Sequence, residues 1–437
     1  MSATAVPQTV ARKASRLSGV MIWPVAALAL LALPRVLSSG TSLTMLCLMG
    51  IAIVFALSYN MLLGETGLLS FGHAVYYGLG GFLAVHTMNA AIKGGWFVPL
   101  PAIPLVAGFT GLAFALLFGW VSTRRSGTVF AMISLGLAEL VGSSALILRG
   151  FFGGEEGVTT NRTKLMKIEG WGFGSQLEVY YLIAGWCFVA ALAMYALTRT
   201  PFGRLCNAVR DNPERAQFVG YNPQAVRYIA FCFAGFFAGL AGGLAAINFE
   251  IANVAYLGAH QSGTVLLATF IGGSGSFFGP IIGACLVTWL QASLSDSTEV
   301  WQLYFGLLFM AMVMFQPTGI AGLIMLHQPV WQAGQMMRLL PVYLALIPPI
   351  LALLAGAVMI IEMTVRLKVK AADGSVMSLL GITFDANGLG PWLLAGLLLG
   401  VGALGVHWLR PRLRGAWTAA LSPTPNAAAP APAGASA

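Results

Sequence analysis

The stretch TSLTMLCLMGIAIVFALSYNML, residues 41–62, runs from end to end without a charged side chain. A helix rises 1.5 Å per residue, so about 20 apolar residues cross the roughly 30 Å of hydrocarbon in a bilayer. This run is long enough, and it lacks the period-two alternation that a barrel strand needs. Comparable apolar runs cover 18–37, 68–91, 102–121, 128–148, 179–198, 227–248, 257–272, 277–294, 301–315, 339–361 and 391–409. Together they predict an all-α, polytopic integral membrane protein with about 10–12 transmembrane helices, some broken at glycine-rich stretches. Composition points the same way. Of 437 residues, 58% are hydrophobic and 8% charged, and a mean hydropathy of +0.83 lies above the soluble range.

The formal charge of +9 is not a nucleic-acid signal, because the charges lie between apolar runs rather than on one basic face. Positive charge marks the cytoplasmic side of a membrane protein. Arg12, Lys13 and Arg16, then Arg124 and Arg125, the 199–227 stretch, and finally Arg410, Arg412 and Arg414 all fall on one side. Both termini are therefore expected in the cytoplasm, with residues 1–17 as a cytoplasmic segment. The loops 149–178 and 362–391 are expected outside. The first of these carries Arg162, Lys164 and Lys167 against the rule, accompanied by Glu155, Glu156, Glu169 and Glu178. The run 18–37 has no small-residue cleavage pattern after it and reads as an uncleaved first helix. Residues 418–437, rich in Ala and Pro, read as a disordered tail. The cysteines, widely spaced and without a CxxC, read as packing residues rather than disulfide partners or metal ligands. Trp23, Trp96, Trp301 and Trp392 fall near run ends, where interfacial anchoring is the ordinary role of tryptophan.

RLCNAVRDNPERAQFVGYNPQAVR, residues 204–227, breaks the apolar pattern. Arg204, Arg210, Asp211, Glu214 and Arg215 would each cost a few kcal/mol inside hydrocarbon, so the segment belongs in water. Residues 202–209 suit a short helix. Asn212 can cap a second one with Pro213 at its first position and Gly220 at its end. A plain connecting loop would explain the charges but would not need the caps. ERAQFVG fits the pattern E-x-A-x-x-x-G and resembles the loop by which ABC-importer permeases dock their ATPase subunits, with Arg215 where that loop usually has Ala. The resemblance implies an ATPase-coupling role for Arg204, Arg210, Asp211, Asn212, Pro213, Glu214, Arg215, Ala216 and Gly220.

Three blocks extend the resemblance: SYNMLLGETGLLSFGHAVYYGLGGFLAVH at 58–86, the segment 201–246, and LLATFIGGSGSFFGPIIGA at 266–284 with FQPTGIAGLI at 315–324. In this order they are similar to the permease subunits of branched-chain amino acid ABC importers, over residues 40–326. The resemblance implies a permease domain at 18–326, with a coupling loop at 199–226 and an outer loop at 149–178. Residues 327–417 are then an extension with two further helices. It also implies a bacterial inner-membrane complex with a second related permease, two cytoplasmic ATPases and a periplasmic substrate-binding protein, and amino acids as cargo. The chain has no G-x-x-x-x-G-K-[ST] phosphate loop. ATP and any cofactor role therefore fall to partner subunits, and membrane lipids are the remaining contact.

Within NMLLGETGLLSFGHAVYYG, residues 60–78, Gly64, Gly67 and Gly72 interrupt the apolar run while Asn60, Glu65, Ser70 and His73 add polar groups. A broken helix can present a half-helix N-terminus to a substrate carboxylate. The family's motif matches Gly67, Ser70, Phe71, Gly72 and His73; Glu65 stands where an uncharged residue is common. The alternative is that the glycines allow close helix packing and a neighbour satisfies His73. Glu139, near the middle of 128–148, either faces a cavity or subunit interface or is a hydrogen-bonded packing carboxylate. GGSGSFFGP, residues 272–280, is a turn at the cytoplasmic edge that could form part of a gate. A proton-coupled carrier using Glu139 or His73 would leave the capped charged segment unexplained. A membrane enzyme would gather its acids and histidines at one interface, whereas His73, His86, His260, His327 and His407 are scattered.

Overall fold

In the computed structural model, residues 8–165, 172–296, 298–332, 334–369, 374–379 and 382–421 are described. Residues 1–7 of the N-terminal segment, Lys167 and Glu169 of the outer loop, and residues 422–437 of the expected tail lie outside them. The chain forms two compact units, Met1–Leu323 and Ile324–Ala437.

The first unit contains α1 (Gln8–Val36), α2 (Gly40–Thr66), α3 (Ala74–Gly94), α4 (Ile103–Ser122), α5 (Thr128–Ile147), α6 (Arg149–Phe152), β1 (Val158–Thr159), α7 (Gln176–Arg199), α8 (Pro201–Asp211), α9 (Pro213–Phe218), α10 (Pro223–Phe249), β2 (Ile251–Ala252), α11 (Ala259–Gly272), α12 (Gly279–Ser295) and α13 (Trp301–Phe315). α14 (Gly319–Gln332) follows. The second unit is built on α15 (Met336–Lys368), β3 (Val376–Leu379), β4 (Ile382–Asp385) and α16 (Leu389–Leu421).

Among the described residues the apolar runs are largely helical, and seven helices are long and apolar enough to cross a membrane, or eight if α13 and α14, bent by 40°, form one span. The expected 10–12 also includes shorter apolar helices. α11 has 14 residues and α12 has 17; they rise roughly 21 and 26 Å, short of the hydrocarbon thickness. The apolar part of α1 is only Met21–Val36. α3 carries His86, Thr87, Asn89 and Lys93 in its second half. At the C-terminal end α16 continues through residues 418–421, where the sequence suggested that a tail begins.

α10 runs through the middle of the first unit, packed on α2, α3 and α4. Its crossing with α4 is possible because both helices lack side chains there: a Cβ on Gly239 would stand 2.9 Å from the Cα of Gly111. α2 starts at Ser39, whose hydroxyl accepts from the Ser42 N–H at 3.2 Å. It ends at Gly67, where φ of +71° closes a left-handed cap.

Opposite ends of this bundle hold the two polar segments. At one end α8 lies against the last residues of α2. At the other, β1 pairs with β2, Val158 opposite Ala252, and the Gln176 amide donates to Cys47 Sγ at 3.6 Å near the start of α2. Arg162, expected in an outer loop, is held at this end. Its Nη1 donates to the carbonyls of Ile247 and Asn248 at 2.9 and 3.1 Å, capping the last turn of α10. Its Nε lies 3.5 Å from the Glu250 carboxylate.

Within the second unit, α15 and α16 run antiparallel, and β3 pairs antiparallel with β4, Val376 opposite Asp385. Gly356 faces Ala395 and Leu399, and Gly402 faces Pro349 and Leu353, so the helices approach closely. Trp392 Nε1 donates to the Ala386 carbonyl at 2.9 Å.

Candidate functional site: a docked polar hairpin and a capped helix break

The cap read at Asn212 is formed, and the structure adds one at Thr200. Thr200 Oγ1 accepts from Gly203 N at 3.3 Å and Pro201 opens α8. Asn212 Oδ1 accepts from Arg215 N at 2.9 Å and Pro213 opens α9. Gly220, with φ of +96°, lies beyond its end. Cys206, Val209 and Ala216 join Val226 and Ala230 in a small apolar core that seats both short helices on the start of α10. Burial in that core, with the Glu65 carboxylate nearby, pushes the Cys206 thiol up to about 12.

α8 is also tied to the end of α2. The Arg210 Nη1 donates to the Gly64 carbonyl while its Nε pairs with Asp211 at 3.0 Å. Asn207 Nδ2 donates to Glu65 Oε2 at 2.7 Å. Gly67 leaves room for the Arg210 stem, since a Cβ there would meet Cγ at 3.1 Å. Asn207 is absent from the sequence reading, although its position three residues before Arg210, on one helix face, is the signal that would have found it. Glu65, which the motif comparison singled out as unusual, is the residue Asn207 holds.

Arg204, Arg210, Asp211, Asn212, Glu214 and Arg215 are exposed, Pro213 is half-buried and Ala216 is buried. Beside them, Phe218, Val219 and Tyr221 are 91%, 71% and 51% exposed. Three large apolar side chains in water at the tip of a charged hairpin form a surface of the kind a partner covers.

The break between α2 and α3 is already filled. The Phe71 N–H donates to Ser134 Oγ of α5 and the Ala74 N–H to Ser262 Oγ of α11, both at 3.0 Å. Some of the backbone donors expected to meet a substrate carboxylate thus have side-chain partners here. Gly72 packs against the Ser134 carbonyl. His73 is fully buried, with its Nε2 2.9 Å from Ser58 Oγ and its ring stacked on Phe55 at 5.5 Å. Tyr59 donates to the Ser70 carbonyl at 3.0 Å. Asn60 Oδ1, Ser70 Oγ and His73 Nδ1 are buried without a hydrogen-bond partner among the described residues. Asn60, Ser70, Gly72 and His73 therefore sit together inside the chain, Phe71 is half-buried, and Gly67 is exposed beside Arg210.

Glu139 is elsewhere. It lies on the exposed face of α5 with Met132 and Leu135, while Ser134 and Ala138 face inward. The turn 272–280 sits at the α8 end of the bundle: a Cβ on Gly64 would meet the Ser274 carbonyl, and Phe277 packs on Tyr195, near the end of α7, at 5.1 Å.

Comparison with known proteins gives these features a frame. The family described as branched-chain amino acid transport system / permease component matches residues 41–317. The Escherichia coli high-affinity branched-chain amino acid transport system permease protein LivM is 28% identical over 312 residues, covering 66% of this chain and 71% of its own. The corresponding LivH of E. coli is 25% identical over 293 residues, 62% of this chain and 90% of its own. A shorter segment is 31% identical to the ribose import permease protein RbsC of Haemophilus influenzae over 112 residues, 24% of this chain and 35% of that one. No solved structure matches. A helical bundle with seven or more spans, matched over most of its first unit, is thus a multi-pass membrane protein of the branched-chain amino acid transport system permease family.

Proposed function

We propose that this permease carries branched-chain or chemically related amino acids across the bacterial inner membrane, paired with a second permease, supplied by a periplasmic binding protein and driven by two ATPase subunits docked on α8 and α9. The exposed trio Phe218, Val219 and Tyr221, in a hairpin otherwise rich in charge, carries the reading. ATP-driven motion of a docked subunit would displace α8. The Arg210–Gly64 and Asn207–Glu65 bonds would pass that displacement to the end of α2 and the adjoining break. The permease itself breaks no substrate bond; the ATPase states shift the balance between outward-open and inward-open arrangements.

Glu139 supports a second permease as neighbour. It makes no hydrogen bond or ion pair among the described residues, and an uncovered carboxylate in mid-span costs about 2.5–3.5 kcal/mol or more against lipid. A partner helix or a wet pathway removes that cost. Asn60, Ser70 and His73 would join such a pathway only after rearrangement of the break. The competing proton-relay reading gains little, because His73 is sealed in the core while Glu139 faces out.

Co-purification tests the docking. Phe218→Asp should abolish retention of the ATPase subunits and uptake together, with normal membrane insertion of the permease. Full retention and full uptake in that variant would remove the basis of the reading.

A further inference from the structure

Arginines gather at one end of the second unit. α15 and α16 are antiparallel and 33 residues long each. Met336, Leu339 and Tyr343 near the start of α15 pack with Trp417 and Ala420 near the end of α16. Arg338, Arg410, Arg412 and Arg414 therefore share that end, and all are exposed. No aspartate or glutamate occurs at 324–361 or 386–437; Glu362 and Asp385 belong to the opposite end of the unit. Arg338 Nη1 donates to Gln335 Oε1 at 3.0 Å. Among the described residues none of these guanidinium groups meets a carboxylate.

Their depth along the helix is also set. From Trp392 to Leu409 α16 carries no Asp, Glu, Lys or Arg and rises about 27 Å, close to the hydrocarbon thickness. Arg410 stands where that stretch ends, and Arg412 and Arg414 follow within about 6 Å of rise. That is the depth of one headgroup layer, about 5–7 Å. The guanidinium of Arg412 lies over the ring of Trp408, 4.1 Å from its centroid, and this indole is 64% exposed. Stacking uses the guanidinium face and leaves its N–H edge free, the edge that pairs bidentately with phosphate. Arg410 and Arg414, four residues apart, share another face of the helix. Trp331, 68% exposed, adds a second indole next to Val330, which packs in the same seat.

A topological signal needs positive charge but no fixed geometry. Here the geometry is fixed: apolar helix faces and an indole lie on the hydrocarbon side, guanidinium edges lie beyond them, and the unit supplies no counter-charge at that end. An acidic protein would reach the arginines from the water side and leave the indoles uncovered. An anionic phospholipid covers both, with its acyl chains on the apolar faces and its phosphate on the guanidinium edges. We propose that the basic end of α15 and α16 is a binding surface for anionic phospholipids of the adjoining leaflet. The surface depends neither on ATPase docking nor on the cargo.

Titration of fluorescent phosphatidylglycerol and fluorescent phosphatidylcholine onto the purified full-length permease in neutral detergent tests it. The wild-type chain should favour phosphatidylglycerol by about tenfold or more. Arg410→Gln combined with Arg414→Gln should cut that preference by about tenfold or more, each arginine at an anionic surface contributing about fivefold. Arg410→Lys combined with Arg414→Lys keeps the charge and should restore at least part of it. Arg124→Gln combined with Arg125→Gln, in the first unit, should leave it unchanged. Equal binding of the two lipids by the wild-type chain would overturn the surface, as would an unchanged preference in the glutamine pair. No restoration by the lysine pair would make the loss a folding effect, and an equal loss in the Arg124 and Arg125 pair would make it a matter of overall charge; either overturns the proposal. Displacement of the lipid by equimolar inorganic phosphate would mark a site for a free anion instead. If the glutamine pair keeps its lipid preference but loses co-purifying ATPase, the arginines meet a protein and the lipid surface falls.

Discussion

The side-chain amide of Asn207 donates a 2.7 Å hydrogen bond to Glu65, linking residues 142 positions apart. With the neighbouring Arg210–Gly64 bond it fixes α8 to the end of α2 at two points on one face. Two adjacent bonds resist rotation as well as separation, which is what a transmitting contact needs.

Breaking both bonds should uncouple the machine without dismantling it. Asn207→Leu combined with Arg210→Met leaves the apolar seat of Cys206, Val209 and Ala216 in place, so the ATPase should still co-purify. Uptake per ATP hydrolysed in proteoliposomes should fall by about tenfold, matching loss of roughly one to two hydrogen bonds. An unchanged ratio would reduce the pair to ordinary packing.

Glu139 can be asked which environment it meets. In the isolated permease its carboxylate is uncovered, so Glu139→Leu should leave the melting temperature unchanged or raise it, because a lipid-facing charge is removed. In the assembled transporter the same variant should lose uptake by about tenfold or more, one or two charge-assisted contacts being forfeited. A drop in melting temperature for the isolated variant would show that Glu139 serves its own chain instead.

Cys206 reports on the seating of α8. Its raised value of about 12 means that the thiolate form is lost as pH falls below that value. At pH 8 the thiol form therefore dominates, and the thiolate is the form that reacts. Iodoacetamide at pH 8 should leave Cys206 unmodified in the resting protein and label it after denaturation, as read by peptide mass spectrometry. Rapid labelling in the resting state would place α8 away from its core.

The local chemistry of the hairpin was legible because a cap is a short-range device. Asn212, Pro213 and Gly220 act within a few residues of one another, and the structure places all three in those roles. The helix break was only half legible. Its glycines announce it, but the hydroxyl that meets the Ala74 N–H comes from Ser262, 188 positions away, and no local pattern carries that contact. The number of crossings was less legible, because α11 and α12 have the composition of membrane helices with only 14 and 17 residues. Glu139 could not be placed on a face from sequence, since lipid and core are both apolar and the helical period fades in a membrane.

The crossing of α4 and α10 offers the strictest test of the fold itself. Gly111 and Gly239 lie where the two backbones meet, and a methyl on Gly239 would reach the Ala107 carbonyl as well as the Gly111 Cα. Neither obstacle is the end of a flexible side chain, so the helices would have to part along their contact. Such overpacking costs about 1–3 kcal/mol, and there is no apolar compensation because the added group gains no new cavity. Gly239→Ala should therefore lower the folded yield and the melting temperature of the purified permease. Gly263→Ala, on α11 where a Cβ meets nothing within 4 Å, should leave both unchanged and serves as the control. Equal melting of the two variants would mean that α4 and α10 do not cross as closely as these glycines allow, and the packing on which α2, α3 and the helix break depend would need a different arrangement.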